Sequence, residues 1–122
     1  MNMKIISTQI YDDHEEKQEE QHKDYSLKIL DKNILINYNN GDEIIFNSEN
    51  NIVEIKRDKN EILVKINAEH EFDYETPYCS FVLKTVGEKI LVEKSPFKMV
   101  IEYKIILNDT ISYKNIIEIV EF

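Results

Sequence analysis

The sequence predicts an all-β fold, and three observations carry the prediction. Apolar side chains recur with a period of two along several runs, "FKMVIEYKIIL" (97–107) being the longest. Isoleucine, valine and tyrosine fill those runs, and β-branched and aromatic side chains suit a pleated, half-buried surface. Short polar clusters rich in Asn, Asp and Ser separate the runs, and no stretch has the apolar stripe of an amphipathic helix.

Taken along the chain, "DYSLKIL" places Tyr25, Leu27 and Ile29 on one face of a strand, and "NILINY" does the same with Ile34, Ile36 and Tyr38. "NNGD" (39–42) between two such runs is a hairpin signal, because Asn and Gly tolerate the positive φ of tight turns. "NSENN" (47–51), "RDKN" (57–60) and "LNDT" (107–110) read as turns for the same reason, and "KSP" (94–96) as a further break. "EILVKIN" supplies Ile62, Val64 and Ile66. Pro77 has no N–H for a ladder, so Thr76–Pro77 is expected to close the strand "EHEFDYE" and Tyr78 to open "YCSFVLKTV". In Phe97–Leu107 the apolar set is Phe97, Met99, Ile101, Tyr103, Ile105 and Leu107. The last run, "YKNIIEIVEF", is apolar on both parities, which calls for a doubly covered strand or an interface. Spacing gives about nine or ten strands, arranged as a barrel or a sandwich.

The 122 residues suffice for one domain, 1–122, with a real core. The lone cysteine, Cys79, excludes an internal disulfide and fits a reducing compartment. No apolar run near the N-terminus is long enough for a signal peptide or membrane span, so the expected location is cytoplasmic. A net charge of −9 argues against nucleic acid and anionic membranes as partners. Residues 12–24, "DDHEEKQEEQHKD", hold seven acids against two lysines, a net of −5. With no apolar face to bury, they are expected to form an exposed acidic loop.

Catalytic and metal chemistry find little footing. His14 and His22 lie among glutamates, but nothing fixes their spacing as metal ligands, and an exposed charged run explains them. His70, between Glu69 and Glu71, reads as an exposed strand residue, and Cys79 has no histidine near it in sequence. There is no phosphate-binding glycine loop, nucleophile elbow or metalloprotease motif. No metal, cofactor or enzymatic activity is therefore expected.

"YETPYCSF" (74–81), followed by "IEY" (101–103), resembles the YwiB-like family of uncharacterised bacterial proteins. "STQ" (7–9), Tyr25, the "INY" ending at Tyr38 and "IVEIKR" ending at Arg57 extend the resemblance over most of the chain. The family usually has glycine where this chain has Cys79. The resemblance implies a single antiparallel calycin-like β-barrel of about eight to ten strands. It does not extend to lipocalins by motif, since their Gly-x-Trp segment needs a tryptophan and this chain has none.

Two functions follow as expectations. The first is binding of a small ligand in or at the mouth of the barrel, with Arg57, Tyr74, Thr76, Tyr78 and Tyr103 as the mouth residues. The second is a protein-interaction module or homodimer with a filled barrel. Arg57 stands out as the sole arginine beside fourteen lysines. Its planar fork suits a buried carboxylate, and Glu75 and Glu102 are the expected partners.

Overall fold

Among the described residues, eleven strands, β1 to β11, form two antiparallel sheets laid face to face. The structure, a computed structural model, describes residues 1–58 and 60–122, with the side chain of Ile111 outside the description. The turn expected at 57–60 includes Lys59, which lies outside the described residues.

The first sheet begins with β1 (Met3–Ile10) and β2 (Glu15–His22). The chain then crosses to the second sheet, built as a meander of β3 (Tyr25–Ile29), β4 (Asn33–Tyr38), β5 (Asp42–Asn47), β6 (Ile52–Arg57) and β7 (Asn60–Lys65). It returns through β8 (Glu69–Glu75), β9 (Ser80–Lys94), β10 (Phe97–Leu107) and β11 (Thr110–Glu121). The spatial order of the first sheet is β2-β1-β11-β10-β9-β8. Asn39, Asn40, Asn51, Asp58, Asn108 and Asp109 all have positive φ between 50° and 61°, so the turn residues sit where Asn and Asp are best tolerated.

Alternation decides what is buried. Along β10, Phe97, Met99, Ile101, Tyr103 and Ile105 face inward and are buried, while the intervening residues face out. They meet Ile34, Ile36, Ile44, Phe46, Val53, Ile55 and Val64 of the second sheet in one core. On β11 only one apolar parity is buried, Ile117 and Ile119. The other parity, Ile116 and Val120, is half-buried on the outer face. There Glu102 contacts Lys89 (3.5 Å) and Lys114 (3.2 Å), and Glu88 contacts Lys104 (3.7 Å) and Lys114 (3.5 Å), a charged lattice across three strands.

One expectation is corrected. The acidic run 12–24 is not a loop: most of it is β2, paired with β1 from Met3↔His22 to Ile10↔Glu15. An edge strand can be held by backbone bonds to a single neighbour, and charged side chains on it discourage further pairing, so it needs no apolar face. The two antiparallel sheets are separate ladders, and neither closes on itself among the described residues. The sheets are joined at one side by a seam where β7 hands over to β8. Ile66 forms an isolated parallel bridge with Gly87, the Asn67 N–H donates to the Gly87 carbonyl at 2.9 Å, and the Thr85 hydroxyl donates to the Leu63 carbonyl. At the other side the join is made by side chains. The Tyr25 hydroxyl donates to Glu121 at 2.6 Å, and Arg57 of β6 donates to Glu20 of β2.

Candidate ligand-binding cleft

The inner face of the first sheet is apolar at one end and polar at the other. On β1 the inward series runs Met3, Ile5, Ser7, Gln9, and on β11 it runs Ile119, Ile117, Asn115, Tyr113. Register aligns the interruptions: Gln9 lies opposite Asn115, and Asn115 opposite Tyr103 of β10. The result is a polar row, Gln9–Asn115–Tyr103, across three neighbouring strands. It continues to Gly87 on β9, beside a bulge at Glu88 that keeps the next pair, Glu102↔Lys89, in register.

This row forms one wall of a cleft of about 310 Å³ between the sheets. Ile55 and Arg57 of β6 and Ile62 of β7 face it from the second sheet, while Phe72 and Tyr74 of β8 and Leu83 of β9 extend the first wall. Ser7, Gln18 and Tyr113 complete the polar side. A second depression, about 560 Å³, lies between the β6–β7 turn and the β8–β9 corner and shares Tyr74 with the first. Larger as it is, it takes no inward residue of the core strands, so the cleft between the sheets is the better-enclosed site.

At the cleft's polar wall the Asn115 amide donates to the Tyr103 hydroxyl at 2.8 Å. Asn115 is only 8% exposed and Tyr103 2%. The Asn115 carbonyl oxygen is buried and has no hydrogen-bond partner among the described residues. An unpaired buried acceptor is unfavourable by roughly 1–3 kcal/mol, so its placement against a cleft is informative. Burial raises the Tyr103 pKa and holds the phenol protonated. Tyr113 is raised too, first by burial, then by the charges that Tyr11 and Tyr74 would carry. Tyr11 packs against Tyr113 with ring centroids 5.2 Å apart, and its hydroxyl donates to Gln9 at 3.1 Å.

Of the five residues expected at the mouth, Arg57, Tyr74 and Tyr103 line this cleft. Thr76 lies in the β8–β9 turn and lines only the second depression. Its hydroxyl donates to the Cys79 carbonyl (3.0 Å) and accepts from the Cys79 N–H (3.1 Å), which folds the corner on itself. Tyr78 is 95% exposed and lines neither. Arg57 does pair with a carboxylate, but the partner is Glu20, with side chains 41% and 26% exposed. Glu20 also contacts His22 Nε2 at 3.0 Å. Glu102 is taken by lysines on the outer face, and Glu75 sits at the end of β8, where its N–H donates to Asn60 Oδ1 at 2.9 Å. His70 is half-buried, not exposed, and its Nε2 has no hydrogen-bond partner among the described residues. Ser7, Gln9, Gln18, Tyr113 and Asn115 were not singled out by sequence as site residues. The signal was the set of polar residues, Ser7, Gln9, Asn115 and Tyr103, that interrupt inward series otherwise apolar, visible only once the strands are in register.

The fold and cleft define a class: a two-sheet antiparallel β-structure with a part-polar cleft at one end of its core. Among solved structures, the chain is similar to the YwiB protein from Bacillus subtilis, with a TM-score of 0.56 and 13% identity. The match covers 99% of this chain and 90% of that one. At that identity the likeness is one of fold. No family model matches the chain, and no curated protein does. Among the described residues no helix is long and apolar enough to cross a membrane.

Proposed function

We propose that this chain is a YwiB-like, calycin-type binding protein of the cytoplasm that takes a small ligand in the cleft between its sheets. In this reading the two sheets serve as a flattened barrel whose wall is completed by side chains where the ladder is interrupted. The observation that carries it is the polar row at the cleft, with the Asn115 carbonyl oxygen buried and unpaired among the described residues. A core selected for stability alone would place apolar side chains at 9, 103 and 115, as it does at Ile101, Ile117 and Ile119.

Binding fits better than catalysis. The described lining residues include no carboxylate, imidazole or thiol. A phenol acting as base or nucleophile needs a lowered pKa, and that of Tyr103 is raised. Arg57 is occupied by Glu20.

The test is native mass spectrometry of protein taken directly from cells, beside Ile62→Trp, which fills the cleft from the second sheet. The expected result is a bound small molecule that Ile62→Trp lacks. An empty protein that is also dimeric in sedimentation would replace this reading with the interaction module.

A further inference from the structure

Building on that reading of the cleft, we propose that its ligand is a neutral planar heterocycle carrying a lactam edge, a ring carbonyl beside a ring N–H. That edge sits on Tyr103 and Asn115, and the ring lies among the aromatic side chains of the cleft.

Charge sets the first constraint. Arg57 is the one charged side chain among the described lining residues, and Glu20 already holds it. An anion would have to displace Glu20, and a cation meets no carboxylate among the described lining residues. A neutral ligand meets neither obstacle.

Hydrogen bonding sets the second. Asn115 Nδ2 donates to the Tyr103 oxygen, so the phenol's own proton is left to donate elsewhere. The raised pKa keeps that proton in place. Asn115 Oδ1, on the same amide, is an acceptor with no donor among the described residues. A donor and an acceptor fixed side by side match a group with an acceptor and a donor side by side. The lactam edge is the compact planar form of that pattern, and carboxamide side chains read a comparable donor–acceptor edge on adenine. Gln9 and Gln18 place two further carboxamides along the same wall.

Shape sets the third. Phe72, Tyr74 and Tyr113 are the aromatic side chains that line the cleft beside Tyr103. Its 310 Å³ lies at the low end of small-molecule sites, which run from about 300 to 1,000 Å³, and suits one or two fused rings rather than a long acyl chain.

Calorimetric titration with 2-quinolinone, N-methyl-2-quinolinone and laurate tests this on the intact chain. The lactam should bind, and N-methylation, which removes the donor, should weaken binding at least tenfold. Asn115→Leu should weaken the lactam by a similar factor and leave the N-methyl compound unchanged. Tyr78→Ala, outside the cleft, should alter nothing. Equal binding of the two quinolinones, or no binding of the lactam, overturns the proposal. Laurate binding that Ile62→Trp abolishes would also overturn it while leaving the cleft a binding site. If none of the three binds and protein from cells is empty, the functional reading falls with it. Should Asn115→Leu fail to fold, the comparison of the two quinolinones on the native chain decides alone.

Discussion

Gly87→Ala should break the seam between the sheets. A Cβ built on Gly87 would lie 2.5 Å from the Lys65 carbonyl oxygen, 2.7 Å from its carbonyl carbon and 3.0 Å from the Ile66 nitrogen. All three are backbone atoms, so no side chain can swing aside. Ordinary contact needs roughly 3.5 Å or more, so β7 must retreat by about 1 Å. That retreat strains or breaks the bond from the Asn67 N–H to the Gly87 carbonyl and the bridge to Ile66. One backbone hydrogen bond is worth about 0.5–1.5 kcal/mol net, and overpacking in a tight interior adds about 1–3 kcal/mol. The expected loss is therefore about 2–4 kcal/mol, or a Tm lowered by roughly 10 °C for a domain of this size. Gly41→Ala is the control: its Cβ meets nothing within 4 Å, and only the φ of 142° is strained. It should be unfavourable by about 1–2 kcal/mol. Thermal and urea melts followed by far-UV circular dichroism give both values. A Gly87→Ala protein that melts within a degree or two of the parent, with the Asn67 amide still protected from exchange, would refute the seam as described.

Other outcomes follow from the same geometry. Tyr103→Phe alone should destabilise by about 1–2 kcal/mol, because Asn115 loses its hydroxyl partner, whereas the double variant Tyr103→Phe/Asn115→Leu should be close to neutral or stabilising. A double-mutant cycle of urea midpoints checks this, and additive losses would show that the polar row serves stability rather than binding. Arg57→Lys keeps the charge and loses the fork. With both partners part-exposed, it should lower stability by only about 0.5–1 kcal/mol, measured by chemical denaturation. Alkaline stability should fall in a defined window. Tyr25 is raised to about 12 by its hydrogen bond to Glu121, and Tyr38 to about 12 by burial, while burial also raises Tyr103. A raised folded-state pKa means stability that is whole below the unfolded value near 10 and is lost as pH climbs through 10 towards 12. Absorbance titration at 295 nm should find these phenols ionising together with unfolding, and Tyr25→Phe should remove only the Glu121-linked share.

Strands whose inward side chains are apolar throughout were legible from the residues. Phe97–Leu107 is β10 and Asn33–Tyr38 is β4 because inward side chains must be apolar and outward ones need not be. Strand β2 was not legible for the converse reason: "EEKQEEQH" lies at an edge and is held through its backbone, about which alternation says nothing. One error led to another. With residues 12–24 read as a loop, Glu20 was not among the partners weighed for Arg57, and Glu75 and Glu102 were chosen instead. The cleft was half legible: Arg57, Tyr74 and Tyr103 stood out as rare or aromatic residues beside motifs. Gln9 and Asn115 are ordinary residues in their own strands. They become a site only because β1, β11 and β10 align them, and that long-range register is not written in any one segment.

The most direct test of the central claim is a crystal structure of protein purified from cells without added ligand, refined against data that resolve the cleft. The account predicts electron density for a small planar molecule between the sheets, within hydrogen-bond distance of Asn115 Oδ1 and the Tyr103 hydroxyl. A cleft closed by Tyr74 and Leu83 packing onto Ile55 and Ile62, with Asn115 Oδ1 satisfied by a protein donor, would contradict it.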